Sequence, residues 1–485
     1  MYLVAGLGMT GQSVLRYFEV QGEACLAFDT RESLDIASLQ ADFPHIEFAL
    51  GEIPTDWFSQ FDTLVLSPGI SKLEPWVVAL QKLGKQIIGD VELFARAVGV
   101  PVIAITGSNG KSTVTTMTGM ALQAAGYQTA VGGNIGEPVL DLLMDEHEYD
   151  VYVLELSSFQ LETTYSLNTV SATVLNISED HMDRYANLES YIQAKTKVFA
   201  NSEWAVLPEG FSTLGMIHQA KINHFGLSPD VIKSDHDYGL MQVLSSQADI
   251  QNSSETDTEN DQACQSYLGY GQTPLVAVAD MQLKGRHHQL NALAMMALCE
   301  PFNVTAEHFT WVLKTFGGLP HRTQLVGCYQ GVSWINDSKG TNVGATLTAI
   351  ESMGGQTVGQ LILIAGGVGK DADFSGLRPA VENFCRHTIL FGRDQALIAK
   401  SLAGLQVTCV EDLQQAVTLA KSLSVSQDSV LFSPACASFD QFANYVQRGD
   451  IFTQLVLESA VDLPAGSEEG NKPNLPTENN TDAPC

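Results

Sequence analysis

The chain is predicted to be an α/β protein with largely parallel sheets, divided into three blocks. Short apolar runs alternate with helical patterns through most of its length, the arrangement expected of strands joined by crossover helices. Polar or glycine-bearing turns follow several of the apolar runs, at the strand ends where open α/β sheets bind ligands. A length of 485 residues leaves room for two to four domains, and no fixed-period repeat points to a solenoid instead.

The first block covers residues 1–89. A strand at 2–5 runs into GLGMTG at 6–11, a helix is expected over 12–21, and a second strand over 24–28 ends at Asp29. A glycine-rich turn between strand and helix, with an acid at the end of the next strand, is a site for a phosphate-bearing ligand at a helix N-terminus. It does not by itself say which dinucleotide or nucleotide. The turn LSPGI at 66–70 follows a strand at 63–66 and is placed at the same sheet edge.

The second block, residues 90–318, carries AITGSNGKST at 104–113. An apolar run at 101–105 precedes it and a helical pattern over 111–125 follows. Backbone N–H groups and the positive end of the helix dipole then face an anion, Lys111 reaches the outer phosphates of a nucleotide, and the Ser112 hydroxyl ligates Mg²⁺. The general phosphate-loop pattern has a glycine five residues before Gly110, where Ile105 stands; Gly107 lies only three before it. The narrower form G-[ST]-[NT]-G-K-[ST] is met in full. The strand at 151–155 ends in Glu155, where a nucleotide-hydrolysing domain places a second Mg²⁺-directed acid, and the loop GGNIG at 132–136 lies between. A strand at 170–177 leads into EDHMD at 179–183, a dense group of metal-capable side chains.

A helix capped by Asn187 is expected over 187–200. Its apolar positions Leu188, Tyr191, Ile192, Val198 and Phe199 place Lys195 on the buried stripe and Lys197 off it. A buried lysine needs a partner or loses its charge. It either snorkels to solvent or stays as a neutral amine able to react with CO₂ and give a metal-ligating carbamate. The third block, residues 319–461, has strands near 332–335, 360–365, 388–391 and 429–433, followed by the turns NDSKGTN at 336–342, GGVGK at 366–370 and SPACAS at 433–438. It presents a second binding surface rich in lysine and hydroxyls.

Composition narrows the classes. Basic residues number 25 against 55 acidic, a net charge of −30, so the basic face of a nucleic-acid binder is not expected. Part of the acidic excess lies in 228–265 and in the tail 462–485; both are polar and aromatic-poor and read as mobile surface additions, the tail as disordered. No apolar run would span a bilayer and the N-terminus lacks a basic leader segment, so a cytoplasmic protein without membrane insertion is expected. The eight cysteines form no CxxC pair and read as reduced thiols.

Taken together, GLGMTG, SPGI, GDVELF, AITGSNGKSTVTT, GGNIG, LELSSFQLE, LNISEDHMDRY, GLPHR, WINDSKGTN and FSPACASFDQF resemble the Mur ligase family over most of residues 1–460. The SSFQL and SPACASFDQF elements match its D-glutamate-adding branch. The resemblance implies a Rossmann-like N-terminal domain for a UDP substrate, a central P-loop ATPase domain and a Rossmann-like C-terminal domain that binds the amino acid. The implied reaction, in peptidoglycan precursor synthesis, joins D-glutamate to UDP-N-acetylmuramoyl-L-alanine at the expense of ATP, by a monomer.

The resemblance also implies site roles. Gly107, Ser108, Asn109, Gly110, Lys111, Ser112 and Thr113 would hold the phosphates of ATP, and Asn291, Arg322 and Asp337 would also contact the nucleotide. Ser112 and Glu155 would serve one Mg²⁺; His181 and carbamylated Lys195 would serve a second. Leu7, Gly8, Met9, Thr10, Asp29, Thr30, Ser67 and Asn134 would bind the UDP moiety, and Thr341, Lys370, Ser438 and Tyr445 the D-glutamate. Three positions depart from the family pattern: His288 and Tyr445 stand where Asn and Phe are usual, and Val368 replaces an Asp beside Lys370. An NAD-dependent dehydrogenase would leave GSNGKST, Glu155 and His181 without a role. A folylpolyglutamate synthase-like ligase gives no reason for the GLGMTG domain, and a non-catalytic nucleotide-binding scaffold gives none for retaining Lys111, Glu155, His181 and Lys195.

Overall fold

Three sheets, each fed by a consecutive stretch of chain, organise the molecule. The computed structural model describes residues 1–211, 217, 220–244 and 264–461. The N-terminal sheet has five parallel strands in the spatial order Glu47–Leu50, Cys25–Asp29, Tyr2–Ala5, Thr63–Leu66, Gln86–Ile88. The helix Met9–Gln21 starts three residues earlier than its apolar pattern suggests, directly on the glycine turn. Gly11 is required there, because a Cβ at this position would lie 1.8 Å from the Gly6 carbonyl oxygen.

The central sheet has nine strands. The strand Val102–Thr106 is flanked by Thr169–Val174 and Val151–Glu155, all parallel, and Thr129–Gly133 forms one edge. Gly132 and Gly133, expected in a loop, finish that edge strand because its pairing continues to Gly133 opposite Glu155. The other side extends through Ser202–Pro208 and Lys221–Phe225 to an antiparallel meander of Tyr238–Leu244, Cys264–Tyr270 and Thr273–Ala277. This corrects the reading of 228–265 as one mobile addition. Residues 228–244 pack on the sheet, with Val231 and Tyr238 buried and the Asp237 carboxylate accepting the Lys233, Ser234 and His224 amides. Cys264 and Gln265 belong to a strand. Residues 245–263 and the tail 462–485 lie outside the described residues.

The C-terminal sheet has six strands in the order Gln324–Tyr329, Val332–Asn336, Ser429–Phe432, Leu361–Gly366, Cys385–Phe391, Val407–Cys409, antiparallel only at the first pair. Apolar residues from both faces of these sheets supply the cores, with Ile103, Ile105, Val153, Ile362 and Leu363 fully buried. Among the described residues no helix is long and apolar enough to cross a membrane.

The N-terminal and central sheets are joined through the helix Asp90–Ala97. Glu92 in its first turn is buried and accepts the Tyr165 and Ser166 amides and the Ser166 hydroxyl at 2.7–2.9 Å. Those amides outweigh the cost of burying the carboxylate, so Glu92 is held below the usual carboxylate range. The junction is thus pinned where the chain passes between domains.

Candidate active site

The phosphate loop is braced from both sides. Gly110 caps the helix Lys111–Ala124 with φ 83°, and a Cβ there would press to 2.8 Å from Asn291 Oδ1, so only glycine admits this close approach. The Ser108 hydroxyl donates to the Ser178 carbonyl at 3.0 Å and accepts the Ser178 amide at 2.9 Å. Asn176 Oδ1 accepts the Asn109 amide at 2.8 Å. Lys111 Nζ folds back onto the Gly107 and Ser108 carbonyls at 2.9 and 3.0 Å. Lys195 Nζ donates to the same Gly107 carbonyl at 2.9 Å and lies 4.6 Å from the centre of the Tyr191 ring. Lys195 is 2% exposed. Burial, and then the neighbouring Lys111 charge, hold its amine far below the usual lysine range.

Around these two amines the structure gathers carboxylates and further cations. Glu155 Oε1 accepts from Asn134 Nδ2 at 2.8 Å, whereas Oε2 is buried with no hydrogen-bond partner. The Ser112 hydroxyl accepts from Arg322 Nη2 at 2.8 Å. Asp180 binds Lys370 Nζ at 2.6 Å and accepts from Asn342 Nδ2 at 3.1 Å, tying the C-terminal domain to the central one. With Val368 carrying no carboxylate, Lys370 finds its partner across the domain boundary. His181 has φ 59°, and burial pushes its imidazole down to about 4, against the pull of Asp180. Lys339 sits 3.8 Å from the centre of the Tyr445 ring, and burial lowers its amine to about 8.

Three cavities meet here. The middle one, about 360 Å³, is lined by Ser108, Asn109, Lys111, Asn134, Glu155, His181, Lys195, Arg322, Thr341, Lys370, Ser438 and Tyr445, and by Asp180, Lys339 and Asn342. A second, about 430 Å³, is lined by Gly8, Met9, Thr10, Asp29, Thr30, Ser67 and Asn134. A third, about 330 Å³, is lined by Asn109, Gly110, Thr113, Asn291, Arg322 and Asp337, with His287 and His288. Asn134 borders the first two, and Asn109, Arg322 and Lys339 border the first and third. Leu7, Gly107 and Ser112 stand behind these walls rather than on them. The Leu7 amide is spent on Asp29 Oδ2 at 2.8 Å. Gly107 offers its carbonyl to both lysines, and Ser112 is 4% exposed.

This layout is matched by sequence relatives over nearly its whole length. The N-terminal domain of MurD-like Mur ligases matches residues 1–89, the Mur ligase middle domain 105–299, and the Mur ligase glutamate ligase domain 321–436. A UDP-N-acetylmuramoylalanine–D-glutamate ligase of Hydrogenovibrio crunogenus is 56% identical over 94% of this chain and 97% of its own.

The chain belongs to the Mur ligase family.

A relative of the same name from Legionella pneumophila is 44% identical over 94% of this chain and 98% of its own. Two solved Mur ligases have the same fold. The UDP-N-acetylmuramate–alanine ligase of Thermotoga maritima covers 94% of this chain and 99% of its own at TM-score 0.57 and 16% identity. The MurF ligase of the same organism, in complex with ADP, covers 95% of each at TM-score 0.58 and 14% identity.

Several residues of this Mur ligase's site escape a reading by motif. Arg31 forms a two-pronged pair with Asp29, at 2.8 Å on each oxygen, and lines the second cavity. Asp180, Lys339 and Asn342 line the middle one. Asp180 belongs to the metal-capable stretch EDHMD, and Lys339 and Asn342 lie inside NDSKGTN. What the sequence did not carry is their direction, since neighbours in a turn point to different cavities. The donor set also fits magnesium. Among the described residues no cluster of three or more His, Cys, Asp or Glu could hold a metal, yet Mg²⁺ in nucleotide sites takes one or two protein oxygens and fills the rest with phosphate and water. The buried, unpartnered Oε2 of Glu155 beside the Ser112 hydroxyl is such a donor pair.

Proposed function

We propose that this Mur ligase joins D-glutamate to UDP-N-acetylmuramoyl-L-alanine in the cytoplasm, as a monomer, with cleavage of ATP to ADP and phosphate. The observation that carries the reading is the line of three cavities, which offers two nucleotide-sized pockets on either side of a cationic chamber. The UDP moiety would lie over Gly8, Met9, Thr10, Asp29, Thr30 and Ser67, with Asn134 at its phosphates. ATP would lie by Asn291, Arg322 and Asp337, with its phosphates on the loop 107–113 and toward Arg322. The substrates are those named for the Hydrogenovibrio and Legionella relatives.

A carboxylate is a poor electrophile, so the alanyl carboxylate first attacks the γ-phosphorus and ADP leaves. The resulting acyl phosphate has a good leaving group. The D-glutamate amine, oriented by Thr341, Lys370, Ser438 and Tyr445, attacks its carbonyl carbon, and phosphate departs as the amide forms. Lys111 follows the transferring phosphoryl group, and bringing three anionic reactants together is what the surrounding cations achieve. Magnesium would be held by Ser112 and Glu155, and at a second position by His181 and a carbamate on Lys195; bound there it neutralises phosphate charge and stabilises the group in transfer.

Phosphate release measured with ATP, Mg²⁺ and UDP-N-acetylmuramoyl-L-alanine should appear with D-glutamate, and not with L-glutamate, meso-diaminopimelate or L-lysine. The product should be heavier by one glutamyl residue. Release with another of these amino acids would reassign the acceptor, and none with any of them would defeat the proposal.

His288 supplies a second check. Its ring lies 3.9 Å, centre to centre, from that of His287 in the third cavity, and burial lowers its pKa to about 3, so the imidazole is neutral. A neutral ring against a base contributes about 1 kcal/mol. His288→Ala should therefore raise the ATP KM roughly 5-fold with kcat nearly unchanged, the mark of uniform binding. An unaltered ATP KM would place the base elsewhere.

A further inference from the structure

We infer that Arg184 is a positioning residue that fixes the wall of the uridine-side cavity to the loop carrying Asp180 and His181. The inference rests on the proposed function, because it assigns these two places to one reaction. Arg184 is three residues past His181, and its side chain leaves the central domain for the N-terminal one. Nη1 donates to the Pro68 carbonyl at 2.8 Å and Nη2 to the Ile70 carbonyl at 3.0 Å. Pro68, Gly69 and Ile70 form a wall of the second cavity. The planar fork thus holds two carbonyls of one turn with two nitrogens at a fixed spacing, a rigid geometry that a lysine's single rotating ammonium does not reproduce.

The other end of the arrangement is equally tied down. The Arg184 guanidinium lies 3.8 Å from the centre of the Phe159 ring, and Glu162 stands 3.8 Å from Nη2. The same Phe159 ring meets the His181 ring edge-on at 4.7 Å and lines the middle cavity. The Arg184 amide donates to the His181 carbonyl at 2.9 Å, closing the turn in which His181 takes its positive φ. The side chain is only 14% exposed. One residue therefore touches the turn that borders the UDP moiety, the ring that borders the reaction chamber, and the backbone of the loop between them. Both terminal nitrogens are taken by backbone carbonyls, the buried Nε has no hydrogen-bond partner, and Arg184 lines none of the three cavities, so it reads no substrate atom. Its effect is to set where the acceptor carboxylate arrives relative to the γ-phosphate.

The test is steady-state kinetics with each substrate varied in turn, on the full chain. Arg184→Lys should raise the KM for UDP-N-acetylmuramoyl-L-alanine about 5- to 20-fold and lower kcat about 10-fold, leaving the ATP and D-glutamate KM values within about twofold. Arg184→Ala should lose more, and guanidinium chloride at millimolar strength should restore part of its kcat while ammonium chloride does not. A residue that merely supported folding would show neither selectivity for one KM nor rescue by the matching ion. Variants with wild-type kinetics would overturn the inference, as would an equal rise in all three KM values without rescue. Wild-type chain inactive in the same assay would instead remove the proposed function, so the two failures are separable.

Discussion

Lys195→Ala is expected to reduce turnover about 10³-fold, with partial recovery when formate or acetate is added. The reason lies in the charge at one carbonyl. Lys111 and Lys195 both donate to the Gly107 oxygen, and two buried ammonium groups sharing one acceptor repel strongly in a medium of low polarisability. Burial first, and Lys111 second, therefore depress the Lys195 amine well below its ordinary value. A neutral amine is a nucleophile. In the proposed carbamate its lone pair would form an N–C bond to CO₂, the proton would leave to solvent, and the product would carry one negative charge. The local interaction with Lys111 would turn from repulsion to attraction, and a hard oxygen donor would stand near His181. Alanine removes all of this, and the loss of one such electrostatic element costs about 10²–10³ in rate. The pH dependence has a definite sign. Carbamylation needs the unprotonated amine, so a depressed pKa extends it to lower pH than an ordinary lysine allows. Activity should decline on the acid side as the amine protonates, and stripping CO₂ from the buffer should reduce it at neutral pH. Addition of ¹³C-labelled bicarbonate should give a carbamate resonance that Lys195→Ala lacks. A fully active alanine variant would end the carbamate role.

The sequence carried the elements that obey local rules. The strands 2–5 and 63–66 and the capping of the helix Leu188–Thr196 by Asn187 are as its patterns predict, because short apolar runs, glycine turns and side-chain caps are decided within a few residues. Burial of Lys195 was legible for the same reason, because helical periodicity places it on the apolar stripe. The opening part of the acidic segment was not. Residues 228–244 hold Val231, Ile232, Tyr238, Leu240, Met241 and Val243, an apolar pattern lost when they are averaged with the acidic stretch that follows, and Asp237 closes their turn by accepting three amides, a tertiary effect that composition cannot report. Nor could spacing show that Arg322, from a different domain, would reach Ser112, or that Lys370 would pair with Asp180. Contacts at sequence separations of 190 and more depend on how two sheets are docked, and no local pattern encodes that.

Glu155→Gln is expected to abolish turnover to a similar degree while separating nucleotide affinity from metal affinity. Glu155 is 1% exposed. Burial raises its pKa, but Lys111, Ser112, Asn134 and Arg322 together outweigh that cost and hold it below the usual carboxylate value. A depressed carboxylate contributes stability that is present above its unfolded pKa and is lost as pH falls through the folded one. The ligand-free Gln variant should therefore melt at a somewhat lower temperature than wild type at neutral pH, with the gap closing in acid. The nucleotide should respond the other way. Removing an anion that faces the phosphates leaves Lys111 and Arg322 freer to bind them, so ATP in EDTA should bind the variant at least as tightly as it binds wild type. Added Mg²⁺ should tighten ATP only in the wild type, because the buried Oε2 that lacks a protein partner is replaced by a neutral amide that cannot serve as an anionic donor. Calorimetric titration of ATP with and without Mg²⁺ on both proteins decides the matter. If the variant keeps the wild-type gain from Mg²⁺, Glu155 is a structural acid that organises Asn134 and Ser112, and the metal is held elsewhere.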